Sequence, residues 1–171
     1  MEPLKIYAYL TRARQSLFRS IRPLSEAQYA REFPIGPGTL GRTLTHIMIS
    51  EWYYVERMMQ RDVPPYAAWP IQDEHPPSFE VLERAWNEQS GHTRAALESK
   101  HAWTEPFEYR VMDDAGILQI VTASRSDLFT QLVMHDVHHR AQVMNMLRQL
   151  GSPAEDIDFN AEFPRRPAST E

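Results

Sequence analysis

Residues 134–143 read MHDVHHRAQV and hold three of the chain's seven histidines. Imidazoles this crowded can ligate a metal or satisfy one another by hydrogen bonding, and their spacing helps to sort these uses. His135 and His139 are four residues apart, which on an α-helix is about 6 Å along the axis with both rings on one face. That is the spacing at which two imidazoles can share a metal ion. The pattern alone is weak. Each buried neutral imidazole needs a donor and an acceptor partner, and leaving such groups unsatisfied costs on the order of 1–3 kcal/mol. Either a shared ion or a polar network would meet that need. A metal site requires a third ligand from another element, and His46 in TLTHIMISEWYYVERM is the candidate. His75 in a proline-rich stretch, His92 and His101 read as solvated surface, and His138 as a flank residue that does not ligate.

The elements that must position these residues are helical. Ile6, Leu10, Ala13, Leu17 and Ile21 recur at spacings of three and four, as one buried helix face does, and Pro23 ends that helix. Ser25 and Gln28 form a capping box for a short turn. PIGPG at 34–38 is a loop, after which Thr39 caps a second long helix running to about Arg61. On it His46 points away from Leu40, Leu44, Ile47, Val55 and Met58. It shares a strip with Thr39, Thr43, Ser50, Tyr53 and Arg57, which is either a solvent face or the wall of a polar pocket between helices. DVPPYAAWPIQDEHPP is a long crossover expected to pass over the end or side of a bundle. Ser78 starts a third long helix, with Phe79, Leu82, Trp86, Thr93 and Leu97 on one side.

Between 106 and 123 the period changes to two. Phe107, Tyr109 and Val111 alternate with charged neighbours and DDAG supplies a turn, which predicts a small β-hairpin. SRSD at 124–127 is a strong helix start, with Ser124 as cap, and the last helix runs to Leu150, where Gly151 and Pro153 stop it. On this helix Leu128, Leu132, His135, His139, Gln142, Met146 and Gln149 form a seam, so His135 and His139 are expected to face the core side. The tail from Ser152 is polar; DIDF is expected to pack back and RRPASTE to fray. The resulting expectation is an all-α protein: one domain over 1–171, a four-helix bundle with a long crossover and a small β-hairpin before the last helix.

Bulk properties narrow the function. A net charge of −5 gives no broad basic footprint for nucleic acid, and no apolar run approaches a membrane span. Cysteine is absent, which rules out disulfides, a cysteine nucleophile and thiolate ligands, and is compatible with a cytoplasmic location.

The pattern His46–Glu51–Trp52–Tyr53, followed by His135-Asp136-Val137-His138-His139-Arg140-Ala141-Gln142, in this order of elements, resembles the DinB-like family of four-helix-bundle proteins along essentially the whole chain. The resemblance implies a divalent metal held by His46, His135 and His139. It also implies a low-molecular-weight thiol as cosubstrate and homodimerisation. Ala141 stands where the family pattern has Gly; Ala is the better helix former, so the helix survives.

Three imidazoles without thiolate suit Zn or Ni first and also admit Fe, Co or Mn. Three protein ligands leave an open position, the catalytic arrangement. Asp136 and Gln142 are the expected acceptors for ring N–H groups, with Tyr53 on the pocket wall. These residues support three readings: a metal-dependent thiol transferase or hydrolase, a non-catalytic metal-binding or stress-response interaction protein, or a metal-free polar network joining two helices.

Overall fold

The computed structural model describes residues 2–112, 115–155 and 158–163. Its long helices are α1 (Pro3–Ile21), α3 (Leu40–Met58), α4 (Phe79–Glu98) and α5 (Arg125–Gln149), with the single turn α2 (Glu26–Tyr29) between the first two. Strands β1 (Phe107–Met112) and β2 (Leu118–Ala123) pair antiparallel, Tyr109 opposite Val121, just before α5. The bundle, crossover and hairpin are thus as expected. Asp113 and Asp114 of the anticipated turn lie outside the described residues.

The start signals act where the side chains reach back to the backbone. Ser25 and Ser124 each close a capping box, with Gln28 and Asp127, while Thr39 and Ser78 accept from Arg42 N and Val81 N. The helix stops differ. Both α3 and α5 end in Schellman motifs, in which a left-handed residue turns two N–H groups back onto the last carbonyls. In α5 that residue is Gly151 at φ 74°, with Gly151 N on Arg148 O and Ser152 N on Leu147 O. In α3 it is Gln60 at φ 56°, with Gln60 N on Arg57 O and Arg61 N on Glu56 O. A glutamine carries no stop signal, so the sequence reading overran this helix by three residues. In the tail, Phe159 packs edge-on against Tyr9 at 5.2 Å, which is the packing-back foreseen for DIDF. Asp156, Ile157 and RRPASTE lie outside the described residues.

The core is in two apolar halves. One gathers Leu17, Phe18, Leu44, Trp86, Val143 and Leu147; the other Tyr7, Leu10, Val55, Leu97, Leu128 and Phe129. Each long helix contributes to both halves and carries buried polar residues between them: Arg14 on α1, Glu51 on α3, Gln89 and Thr93 on α4, Asp136 and Arg140 on α5. Glu51, only 4 % exposed, is the hub. Its Oε1 accepts from Tyr7 Oη (2.5 Å) and Thr93 Oγ1 (2.6 Å), and its Oε2 from Arg14 Nη1 (3.1 Å) and Trp86 Nε1 (2.7 Å). A carboxylate offers about four lone-pair sites, and all are used. Arg140 donates to Tyr9 Oη at 2.6 Å and lies over its ring, with Asp136 at 3.7 Å.

On α5 the expected seam is buried at Leu128, Leu132 and Met146, half-buried at His135, His139 and Gln142, and exposed at Gln149; the buried face also takes in Asp136 and Arg140 beside Phe129, Val143 and Leu147.

Two outcomes follow from the buried polar layer. Glu51→Ala leaves Arg14 charged and unpaired in the interior, and urea denaturation should show a loss of about 3–5 kcal/mol; a loss under about 1 kcal/mol would mean that the charge is compensated elsewhere. Burial, and then the Glu51 charge, push the Tyr7 hydroxyl up to about 12. A raised pKa means that the folded state holds the proton more tightly, so this contribution is complete below pH 10 and is lost as pH rises from 10 to about 12. Unfolding free energies measured between pH 9 and 12 should therefore fall less steeply in Tyr7→Phe than in the parent protein.

Candidate metal centre

α3 packs most extensively on α5. Thr39, Thr43 and Arg57 are buried, so the polar strip of α3 is an interior wall and not a solvent face. His46 projects from it toward His135 and His139, one turn apart on α5. One ligand atom from each of the three lies within 4.8 Å of the others. The Nε2 atoms of His46 and His135 are 3.1 Å apart. Two nitrogens on one tetrahedral zinc, at about 2.0–2.1 Å each, would be about 3.3–3.4 Å apart, so the donors already stand near the spacing an ion needs.

The far nitrogens are engaged. His46 Nδ1–H donates to Asp73 Oδ2 at 2.8 Å, and His139 Nδ1–H donates to Gln142 Oε1 at 2.8 Å. A carboxylate and an amide oxygen can only accept, so Nδ1 carries a hydrogen in both rings and Nε2 is left as the nitrogen to ligate, that of His46 being hydrogen-bonded to His135 Nε2. Burial, followed by the neighbouring imidazoles, pushes the pKa of His135 down to about 3. Burial also lowers that of His139, against the opposing pull of its Gln142 hydrogen bond. Both rings are thereby kept neutral, the form that ligates. The Asp73 carboxyl lies below its usual range, chiefly because His46 donates to it.

Asp73 is the contribution of the proline-rich crossover, which passes along the flank of α3 beside the triad. Tyr66, in the short turn Tyr66–Ala68, donates its hydroxyl to Asp73 Oδ1, and Gln72 Nε2 ties back to Tyr66 O at 3.2 Å. Sequence reasoning missed both Asp73 and Tyr66. An acid within a non-repetitive connection has no period that would aim it, and the only signal was the unusual length of the segment.

The other expected residues are placed as follows. Gln142 touches His139 as an acceptor. Its Nε2 donates to His138 Nε2 at 3.1 Å, so exposed His138 stands outside the triad, joined to it through Gln142. Asp136 is not beside a histidine ring; it is buried against Arg140, with its carboxyl pushed up to about 6 by burial. Tyr53 stacks with Trp69 at 5.9 Å, and it is Tyr54, edge-on at 6.1 Å, that neighbours His135. His75, His92 and His101 are exposed.

Residues 1–166 match the DinB family. The chain belongs to the DinB family. Protein DinB of Bacillus subtilis (strain 168) is 22% identical over 158 residues, a match that covers 91% of this chain and 90% of that protein. The DinB-family match therefore takes in α3 and α5 together with the crossover that brings Asp73 to His46.

The Gln142 amide lies against Gly36 of the PIGPG loop. Gly36 sits at φ +50°, and a Cβ there would fall inside van der Waals contact of the Gln142 amide. Gly36→Ala is thus both strained and obstructed. The expected result is a destabilisation of about 1–2 kcal/mol together with displacement of Gln142, read by thermal unfolding and by the His139 ring shifts in NMR. Unchanged His139 resonances would show that the loop does not set this contact.

Proposed function

We propose that this DinB-family protein is a metal-dependent enzyme. In this reading it binds a low-molecular-weight thiol at His46, His135 and His139, and the intact thiol, having lost its proton, forms a carbon–sulfur bond to an electrophilic substrate as that carbon releases its leaving group, or water activated in the same way hydrolyses a substrate. The reading rests on one observation. Three imidazole donors converge with no fourth His, Cys, Asp or Glu in the group among the described residues, and His46, whose side chain is 32 % exposed, leaves the triad open to solvent. A structural site would close its fourth position with protein. A divalent ion, with Zn or Ni favoured and Fe, Co or Mn compatible, would lower the pKa of a bound thiol or water. The chain's own residues orient the site: Asp73 and Gln142 fix the tautomers of His46 and His139. With no cysteine in the chain, the sulfur arrives with the cosubstrate. A cytoplasmic location and a homodimer belong to the same reading.

Elemental analysis of untagged protein should find close to one divalent ion per chain, lost in both His46→Ala and His135→Ala. Asp73→Asn should keep the ion but bind it about 10–100-fold more weakly in chelator competition, as loss of a ring-orienting acceptor does. Cobalt-loaded protein should gain a sulfur-to-metal charge-transfer band on addition of N-acetylcysteine. An unchanged spectrum would remove the thiol and leave the metal site. Protein that is isolated metal-free and refuses added Zn or Ni would make the histidines a packing network.

A further inference from the structure

Beside the triad, and containing none of its histidines, lies a cleft of about 780 Å³. Its walls are the C-terminal half of α3, the proline-rich crossover and strand β1. Its lining is aromatic, with Tyr53, Tyr66, Trp69, Phe107 and Tyr109. Arg57 also lines it. That side chain is only 7 % exposed, and its partners do not account for its charge. Nη2 donates to Arg110 O at 3.0 Å, and the guanidinium lies between the Tyr53 and Tyr109 rings, 5.1 and 5.0 Å from their centroids. Nε has no hydrogen-bond partner, and no carboxylate pairs with Arg57 among the described residues.

A buried cation without a counter-charge is costly, and two ring faces recover only part of the cost. The guanidinium fork matches a planar carboxylate in both charge and shape. The other charges do not compete for this position. Arg61 is paired with Glu56 at 2.9 Å, and Asp62, Glu108 and Arg110 are exposed. A wall of tyrosine, tryptophan, phenylalanine and proline suits an apolar, planar body and offers little to a heavily hydrated anion.

We propose that this cleft is a binding site for a small organic acid: the carboxylate is held by Arg57, and an aromatic or similarly planar body lies against Tyr53, Trp69 and Tyr109. The inference does not depend on metal occupancy. Tyr66 joins the two sites, since its ring lines the cleft while its hydroxyl holds Asp73, the acceptor for His46.

The test is calorimetric titration of full-length protein stripped of metal, with 2-naphthoate as probe and 2-naphthamide as its uncharged counterpart. The acid should bind saturably and at least 10-fold more tightly than the amide. Arg57→Met should lose at least 10-fold in affinity for the acid, and Arg57→Lys should lose less. Val111→Trp, at a half-buried lining position of β1, should block both probes. Equal affinity for acid and amide would make Arg57 a packing residue and overturn the site. So would the absence of binding, or binding that survives Val111→Trp. If Arg57→Met does not fold, the amide contrast and Val111→Trp decide the matter. Because every arm uses metal-free protein, the result is independent of whether the triad loads an ion.

Discussion

The constraint on which the rest depends is a charge inside a helical bundle. Glu51 is almost completely buried, and the desolvation of its carboxylate is offset only because α1 and α4 deliver four donors to its two oxygens. An apolar core would tolerate one helix sliding along another at modest cost, since Leu and Val accept many neighbours. A fully satisfied carboxylate does not: sliding α3 by a turn would strand the charge and the Arg14 guanidinium together. The two apolar halves of the core hold the helices together, and the polar layer between them fixes their heights.

That fixed register is what a site shared between helices requires. His46 is on the helix that carries Glu51, and His135 and His139 are on the helix that carries Asp136 and Arg140. The triad forms at the flank of the polar layer, where nitrogens from α3 and α5 meet within hydrogen-bond distance. The depressed pKa of His135 shares this cause, since the packing that sets the distance also withholds water.

How much of this was legible in the sequence depended on whether a residue's role was local. Caps at Ser25, Thr39, Ser78 and Ser124 act within three residues, and the hairpin signals itself by alternation, so these were read correctly. The spacing of His135 and His139 placed two rings on one face, and the pattern around His46 named their partner. The buried face of α5 was read too narrowly because a hydropathy reading removes Asp136 and Arg140 from any core, although Arg140, bonded to Tyr9 and beside Asp136, is buried with it. The end of α3 was missed because Gln60 adopts a backbone conformation usually reserved for glycine. Asp73 was unreadable for a different reason: its role exists only after the crossover has folded back along α3.

That crossover divides labour within the chain. The residues that hold the bundle in register are all on the four long helices, whereas the acceptor that orients His46 comes from a segment that contributes no fully buried side chain to the core. Changes between Val63 and Pro77 are therefore screened by their effect on the imidazole and the neighbouring cleft far more than by their effect on folding. Over evolutionary time such a segment can change while the scaffold stays fixed, so that relatives with the same helices diverge in ligand preference through this stretch.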